Sequence, residues 1–121
     1  MLTTNEWLPI GSVVHITGRV DYTTIVGYMQ QDAETGVLWD YVGFEHPAGF
    51  LEPGHDMLFD RDSIDAVLYV GYQSFDGERM KDALIATEES SFAQAKRESR
   101  EALGTKNLEF NDEAAAAKKE E

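Results

Sequence analysis

Val37-Leu38-Trp39-Asp40-Tyr41-Val42-Gly43-Phe44 carries bulky apolar side chains at both odd and even positions. Successive side chains of an extended strand point to opposite faces. Val37, Trp39 and Tyr41 then share one side, and Leu38, Val42 and Phe44 share the other with Asp40, so both sides of this strand require cover. Ala66-Val67-Leu68-Tyr69-Val70-Gly71-Tyr72 repeats the pattern, with Ala66, Leu68, Val70 and Tyr72 alternating with Val67, Tyr69 and Gly71. Two strands of this kind predict a closed or covered sheet rather than an open one with a wet face.

Working outward, the alternating runs and the turn residues between them predict five strands, near residues 12–18, 24–30, 37–44, 56–60 and 66–73. The short connections favour antiparallel neighbours. Asp21-Tyr22-Thr23 is read as the first turn and Glu34-Thr35-Gly36 as the second, with Gly36 supplying a positive φ. Glu45 to Gly54 contains two prolines and two glycines and reads as a loop. Asp62-Ser63-Ile64-Asp65 reads as one helical or 3₁₀ turn capped by Asp62. The fold expected is mainly β, α+β overall: a small curled SH3-like antiparallel barrel of about five strands with a C-terminal helical extension.

Composition changes near Phe75. Residues 1–75 hold 11 acids and 2 bases, whereas residues 76–121 hold 12 acids and 8 bases. Met80, Ala83, Leu84 and Thr87 follow helical i, i+3, i+4, i+7 spacing, with Asp76 as the expected N-cap. Ser91-Phe92-Ala93-Gln94 offers a capping-box pattern, and Gly104 suits a stop, so a second helix or a bend in one long helix follows. Beyond Thr105 the chain is mostly polar, and its Ala114–Glu121 end is too short for a stable isolated helix. The organisation expected is a β-barrel domain over 1–75, a helical extension over 76–104 and a polar, flexible tail over 105–121.

The 121 residues amount to one domain, and 42% hydrophobic content supplies a core. A formal charge of −13 repels phosphate backbones and anionic headgroups, which argues against nucleic acid and membrane as direct partners. The absence of cysteine removes disulfides, thiol catalysis and thiolate metal sites and suits a reducing compartment. Met1 to Trp7 lacks a signal peptide's basic and apolar stretches, and no apolar run approaches a membrane span, so a cytoplasmic protein without membrane insertion is expected.

Chemistry-bearing residues are sparse. His15, His46 and His55, two of them beside Glu45 and Asp56, match no zinc spacing and read as ordinary strand and loop histidines. Asp56, Asp60, Asp62 and Asp65 lack the glycine and terminal glutamate of a calcium loop and read as a solvated acidic rim. No catalytic residue, cofactor or metal is therefore assigned. Trp39, Tyr41, Tyr69 and Tyr72 are candidates for an aromatic contact patch, although core packing competes for most of them. The stripe of Met80 and Leu84, with Phe92 further on, has spacing that serves packing on its own barrel or on a partner, and both readings stand. These seven are the partner-binding candidates. Self-association through an exposed barrel edge is a further alternative.

Three segments taken together carry a resemblance: Leu8-Pro9-Ile10-Gly11-Ser12-Val13-Val14; Trp39-Asp40-Tyr41-Val42-Gly43 followed by Pro47 and Gly49-Phe50-Leu51; and Ile64-Asp65-Ala66-Val67-Leu68-Tyr69-Val70-Gly71-Tyr72. In order and spacing they resemble a family of small proteins of Gram-positive bacteria encoded beside type VII secretion genes and LXG-domain toxins. The resemblance spans residues 7–73. It implies a noncatalytic cytoplasmic accessory protein or chaperone that binds an LXG toxin or its targeting helices before export. An immunity-like toxin inhibitor is the neighbouring alternative, and a small metal-dependent hydrolase is the alternative of another class.

Overall fold

The computed structural model describes residues 5–103 and 110–112. Its strands are β1 (Val13–Ile16), β2 (Tyr22–Gln31), β3 (Leu38–His46), β4 (Met57–Phe59), β5 (Ile64–Tyr69) and β6 (Phe110–Asp112). The sheet order is β5-β1-β2-β3-β4-β6, antiparallel throughout. The five strands expected from the sequence are thus present as a curled, barrel-like sheet that does not close; the last, β5, lies at its edge and is not covered on both faces as its alternation predicted, because Ala66, Leu68 and Tyr69 face water. The sixth is formed by Phe110–Asp112, which the sequence reading assigned to the tail; the remainder of that tail, and Gly104, lie outside the described residues.

The turns follow local chemistry. Asp32 accepts from Glu34 N and Thr35 Oγ1, and Gly36, at φ 77°, donates its N–H to Asp32 O at 2.8 Å, which closes the predicted β2–β3 turn. The first turn lies earlier than expected. Tyr22 and Thr23 already pair with His46 and Glu45, and the reversal is closed by Arg19 N donating to Ile16 O. The short 3₁₀ turn spans Arg61–Ser63, with Asp60 rather than Asp62 at its cap position.

Helix α1 (Phe75–Thr87) begins at Ser74, whose Oγ accepts from Gly77 N at 2.9 Å. Asp76 therefore sits in the first turn and not at the cap, a position where an acid faces the positive end of the helix dipole. A π turn over Glu88–Phe92 joins α1 to α2 (Ala93–Leu103). Ser91 does not cap a new helix, because its hydroxyl bonds back to Thr87 O and the backbone continues helically.

One core unites sheet, helix and N-terminal segment. Trp7, Leu8, Val14, Ile16, Ile25, Tyr41, Met57, Phe59, Ile64, Leu84 and Phe92 form a single buried cluster. Val37, Trp39 and Leu58 form a smaller one. Tyr41 is thereby separated from Val37 and Trp39, the two residues with which its spacing grouped it. Its hydroxyl accepts from Leu8 N at 2.8 Å, while Tyr28 donates to Leu8 O at 2.6 Å, so two phenols hold the chain entering β1. Burial pushes the pKa of both phenols upward, which keeps them protonated and able to donate.

The segment after β5 is fixed against the same entry strand. Gly71 N donates to the buried Ser12 Oγ at 2.9 Å, and a Cβ on Gly71 would lie 2.1 Å from Ile10 O. Only glycine permits this backbone approach. Gly71→Ala should therefore destabilise the protein by about 1–3 kcal/mol, the usual range for an overpacked site, as measured by urea unfolding.

Candidate protein-binding surface

The seven partner-binding candidates separate by burial. Trp39 is buried beneath the guanidinium of Arg100, 4.8 Å from its ring centroid. Tyr41 is enclosed by Trp7 and Phe59. Leu84 and Phe92 belong to the main core, so these two members of the helical set pack on their own barrel. Tyr69, Tyr72 and Met80 remain exposed, at 62%, 84% and 48%. Phe75, at 86% exposed, joins them.

Tyr72 and Met80 line a groove of about 470 Å³ between the N-terminal segment and the start of α1. Its other wall is Trp7, Pro9, Ile10 and Tyr28. These four were not among the sequence candidates. For Trp7, Pro9 and Ile10 the signal was the apolar run Trp7-Leu8-Pro9-Ile10, which precedes the first alternating strand and belongs to no strand period, whereas Tyr28 lies within β2. On the α1 side, Lys81 pairs with Glu6 at 2.9 Å, whereas Asp76 and Glu78 form no ion pair among the described residues. The groove thus combines an aromatic and aliphatic wall with a negatively charged one.

A cluster of buried charges holds α2 against β3, on residues that sequence reasoning left mostly unassigned. Asp40, almost fully buried, accepts from Arg61 N at 3.0 Å and pairs with Arg61 Nε at 3.2 Å and Lys96 Nζ at 3.0 Å. Asp60 pairs with Lys96 at 3.2 Å and Arg100 at 2.6 Å and accepts from Asp40 N at 3.1 Å. Arg61 also pairs with Glu88 and lies 4.2 Å above the Trp7 ring. Three acids meet three bases, so the cluster is neutral. Burial and the neighbouring Asp40 push the Asp60 carboxyl upward against the pull of Lys96 and Arg100. For Arg61, burial opposes the charge, but Asp40 and Glu88 outweigh it and hold the guanidinium above its ordinary pKa. Asp60 is therefore no part of a solvated rim. The signal for this cluster was Asp40 itself, an acid between Trp39 and Tyr41 in a strand covered on both sides.

The histidines do not converge. His15 contacts Asp65 and Arg19 O, His46 meets Thr24 Oγ1, and His55 pairs with Glu52. Among the described residues no group of three or more histidines and acids is arranged to hold a metal. His15 Nδ1 lies 2.6 Å from Asp65 Oδ1, and Nε2 lies 2.8 Å from Arg19 O. Two acceptors require two N–H donors, which is the imidazolium form. The Asp65 hydrogen bond, followed by that to Arg19 O, raises the His15 pKa above 6.5.

Fold and surface together define a small protein with a curled, barrel-like antiparallel sheet, a docked helix and a partly apolar groove. Residues 7–80 match the family described as a domain of unknown function, DUF4176, and the chain belongs to that family. No curated protein and no solved structure matches the chain. No helix among the described residues is long and apolar enough to cross a membrane.

Removing one partner of the buried cluster leaves its neighbours uncompensated, so Asp40→Ala should cost about 3–5 kcal/mol in urea unfolding. Tyr72→Ala, at a side chain in water, should change stability by no more than about 0.5 kcal/mol in the same assay. The His15 contribution to stability is fully present below the unfolded pKa near 6.5 and is lost as pH rises through the elevated folded value. An NMR titration should place the His15 midpoint above 6.5, and Asp65→Asn should bring it down.

Proposed function

We propose that this chain is a noncatalytic cytoplasmic accessory protein, a chaperone that binds a type VII-secreted LXG toxin or its targeting region before export. The observation that carries this reading is the set of large side chains left in water, Tyr72 and Met80 lining the groove and Tyr69 and Phe75 exposed as well. Exposed aromatic and methionine side chains are the types that dominate protein-binding hot spots. A partner would cover them, and a chaperone would in return shield apolar surface of its client until secretion.

The resemblance of the Leu8–Val14, Trp39–Gly43 and Ile64–Tyr72 segments to proteins encoded beside LXG toxins supports the choice of client. The net charge of −13 favours a client segment with basic residues and discourages contact with nucleic acid.

The test is co-expression of the full-length tagged chain with separated domains of an LXG toxin, followed by affinity recovery and size-exclusion chromatography. The targeting region should co-elute with the chain, and the isolated toxic domain should not. Capture of the toxic domain alone, with loss of its activity, would replace the chaperone reading by immunity. Failure to capture either domain would overturn both.

A further inference from the structure

Resting on the reading that the chain binds a protein client, we infer that the groove between Trp7–Ile10 and the start of α1 receives an amphipathic helix whose flanks are basic. The two edges of the sheet argue against an extended occupant. An extended segment would dock by adding to a sheet edge, which requires an uninterrupted ladder of free backbone groups. The pairing of β5 with β1 shifts register between Val13 and Val14 and again between His15 and Ile16, which breaks the regular course of that edge strand. At the other edge β6 covers β4 and is itself only three residues long, Phe110–Asp112, too short a ladder to anchor an added strand. Side-chain docking into the groove remains, and a helix is the element that delivers apolar anchors to one groove at i, i+3, i+4 and i+7 spacing.

Charge selects the flanks. The apolar wall of Trp7, Pro9, Ile10 and Tyr28 accepts the anchors, while Asp76 and Glu78 on the facing side carry negative charge that no ion pair among the described residues neutralises. Lys81 offers no competing positive charge, being paired with Glu6. A second copy of the chain would bring another −13 to this face. Phe110–Asp112 of the chain's own C-terminal part pair with β4 as β6, at the opposite edge of the sheet from β5.

The full-length chain is titrated with fluorescein-labelled peptides of about 15 residues, long enough to form a helix on binding, and followed by anisotropy. One peptide places leucines at i, i+3, i+4 and i+7 with lysines on the opposite face; a second scrambles the same composition; a third replaces lysine with glutamate. The ordered lysine peptide should bind best, and Met80→Glu or Tyr72→Ala should weaken it by about tenfold or more, as expected for hot-spot loss. Asp76→Lys combined with Glu78→Lys should shift preference to the glutamate peptide, with circular dichroism reporting an unchanged fold. Equal binding of ordered and scrambled peptides, or groove variants without effect, would overturn the inference. Capture of the toxin's targeting region by Met80→Glu and Tyr72→Ala at undiminished affinity would overturn the groove assignment while leaving the chaperone reading intact. Groove-dependent peptide binding without toxin capture would do the reverse.

Discussion

Two carboxylates buried in a sheet with almost no cations of its own set the terms for the rest of this fold. Asp40 and Asp60 lie within the half of the chain that holds only Arg19 and Arg61 as bases. Arg61 reaches Asp40, but the remaining charge is balanced by Lys96 and Arg100, supplied from α2. An uncompensated buried carboxylate costs several kcal/mol, so the helix must return to one place on β3. The backbone agrees with the charges: Ser99 Oγ accepts from Leu38 N, and Arg100 donates to Leu38 O. Such a cluster fixes position more than it adds stability, because pairing largely repays the desolvation that burial demands.

The groove is a by-product of the same anchoring. Tyr28 and Tyr41 hold Leu8 by its backbone, which sets Trp7 edge-on to both rings and beneath the Arg61 guanidinium. With Trp7 fixed, Pro9 and Ile10 stand beside it as one wall. Gly71 then brings the chain against Ile10–Ser12, so the next residues can only climb away into α1 and supply the other wall. Rigid backbone on both sides gives a preformed surface, which limits the ordering cost of binding.

The sheet was legible because its information is local. Two-sided apolar alternation in 37–44 and 66–72, and the Glu34-Thr35-Gly36 turn, declare strands and reversals within a few residues. The helix was legible as a period, but its continuity through residues 88–92 was not. Ser91 and Gln94 mimic a capping box, whereas the Ser91 hydroxyl bonds back to Thr87 O and the helical backbone passes through Glu88–Phe92 without stopping, with Phe92 packed against Trp7. Which aromatics face water was equally hidden, since Tyr41 and Tyr72 look alike in sequence and differ through their tertiary neighbours. The surface was thus half legible: Tyr69, Tyr72 and Met80 could be named from spacing, whereas the Trp7–Ile10 wall and the charge cluster depend on residues far apart in the chain.

The distance along the chain between Asp40 and its lysine partner, 56 residues, bears on the order in which the protein can be made. A growing chain that has completed β1 to β5 has five of the six strands but lacks the cations that make burial of Asp40 and Asp60 tolerable, and it lacks Leu84 and Phe92 from its core. Settling of the sheet must therefore wait for α2 to emerge, which ties the barrel to the helix as one cooperative unit of high sequence separation. A helix made after these strands acts as their latch.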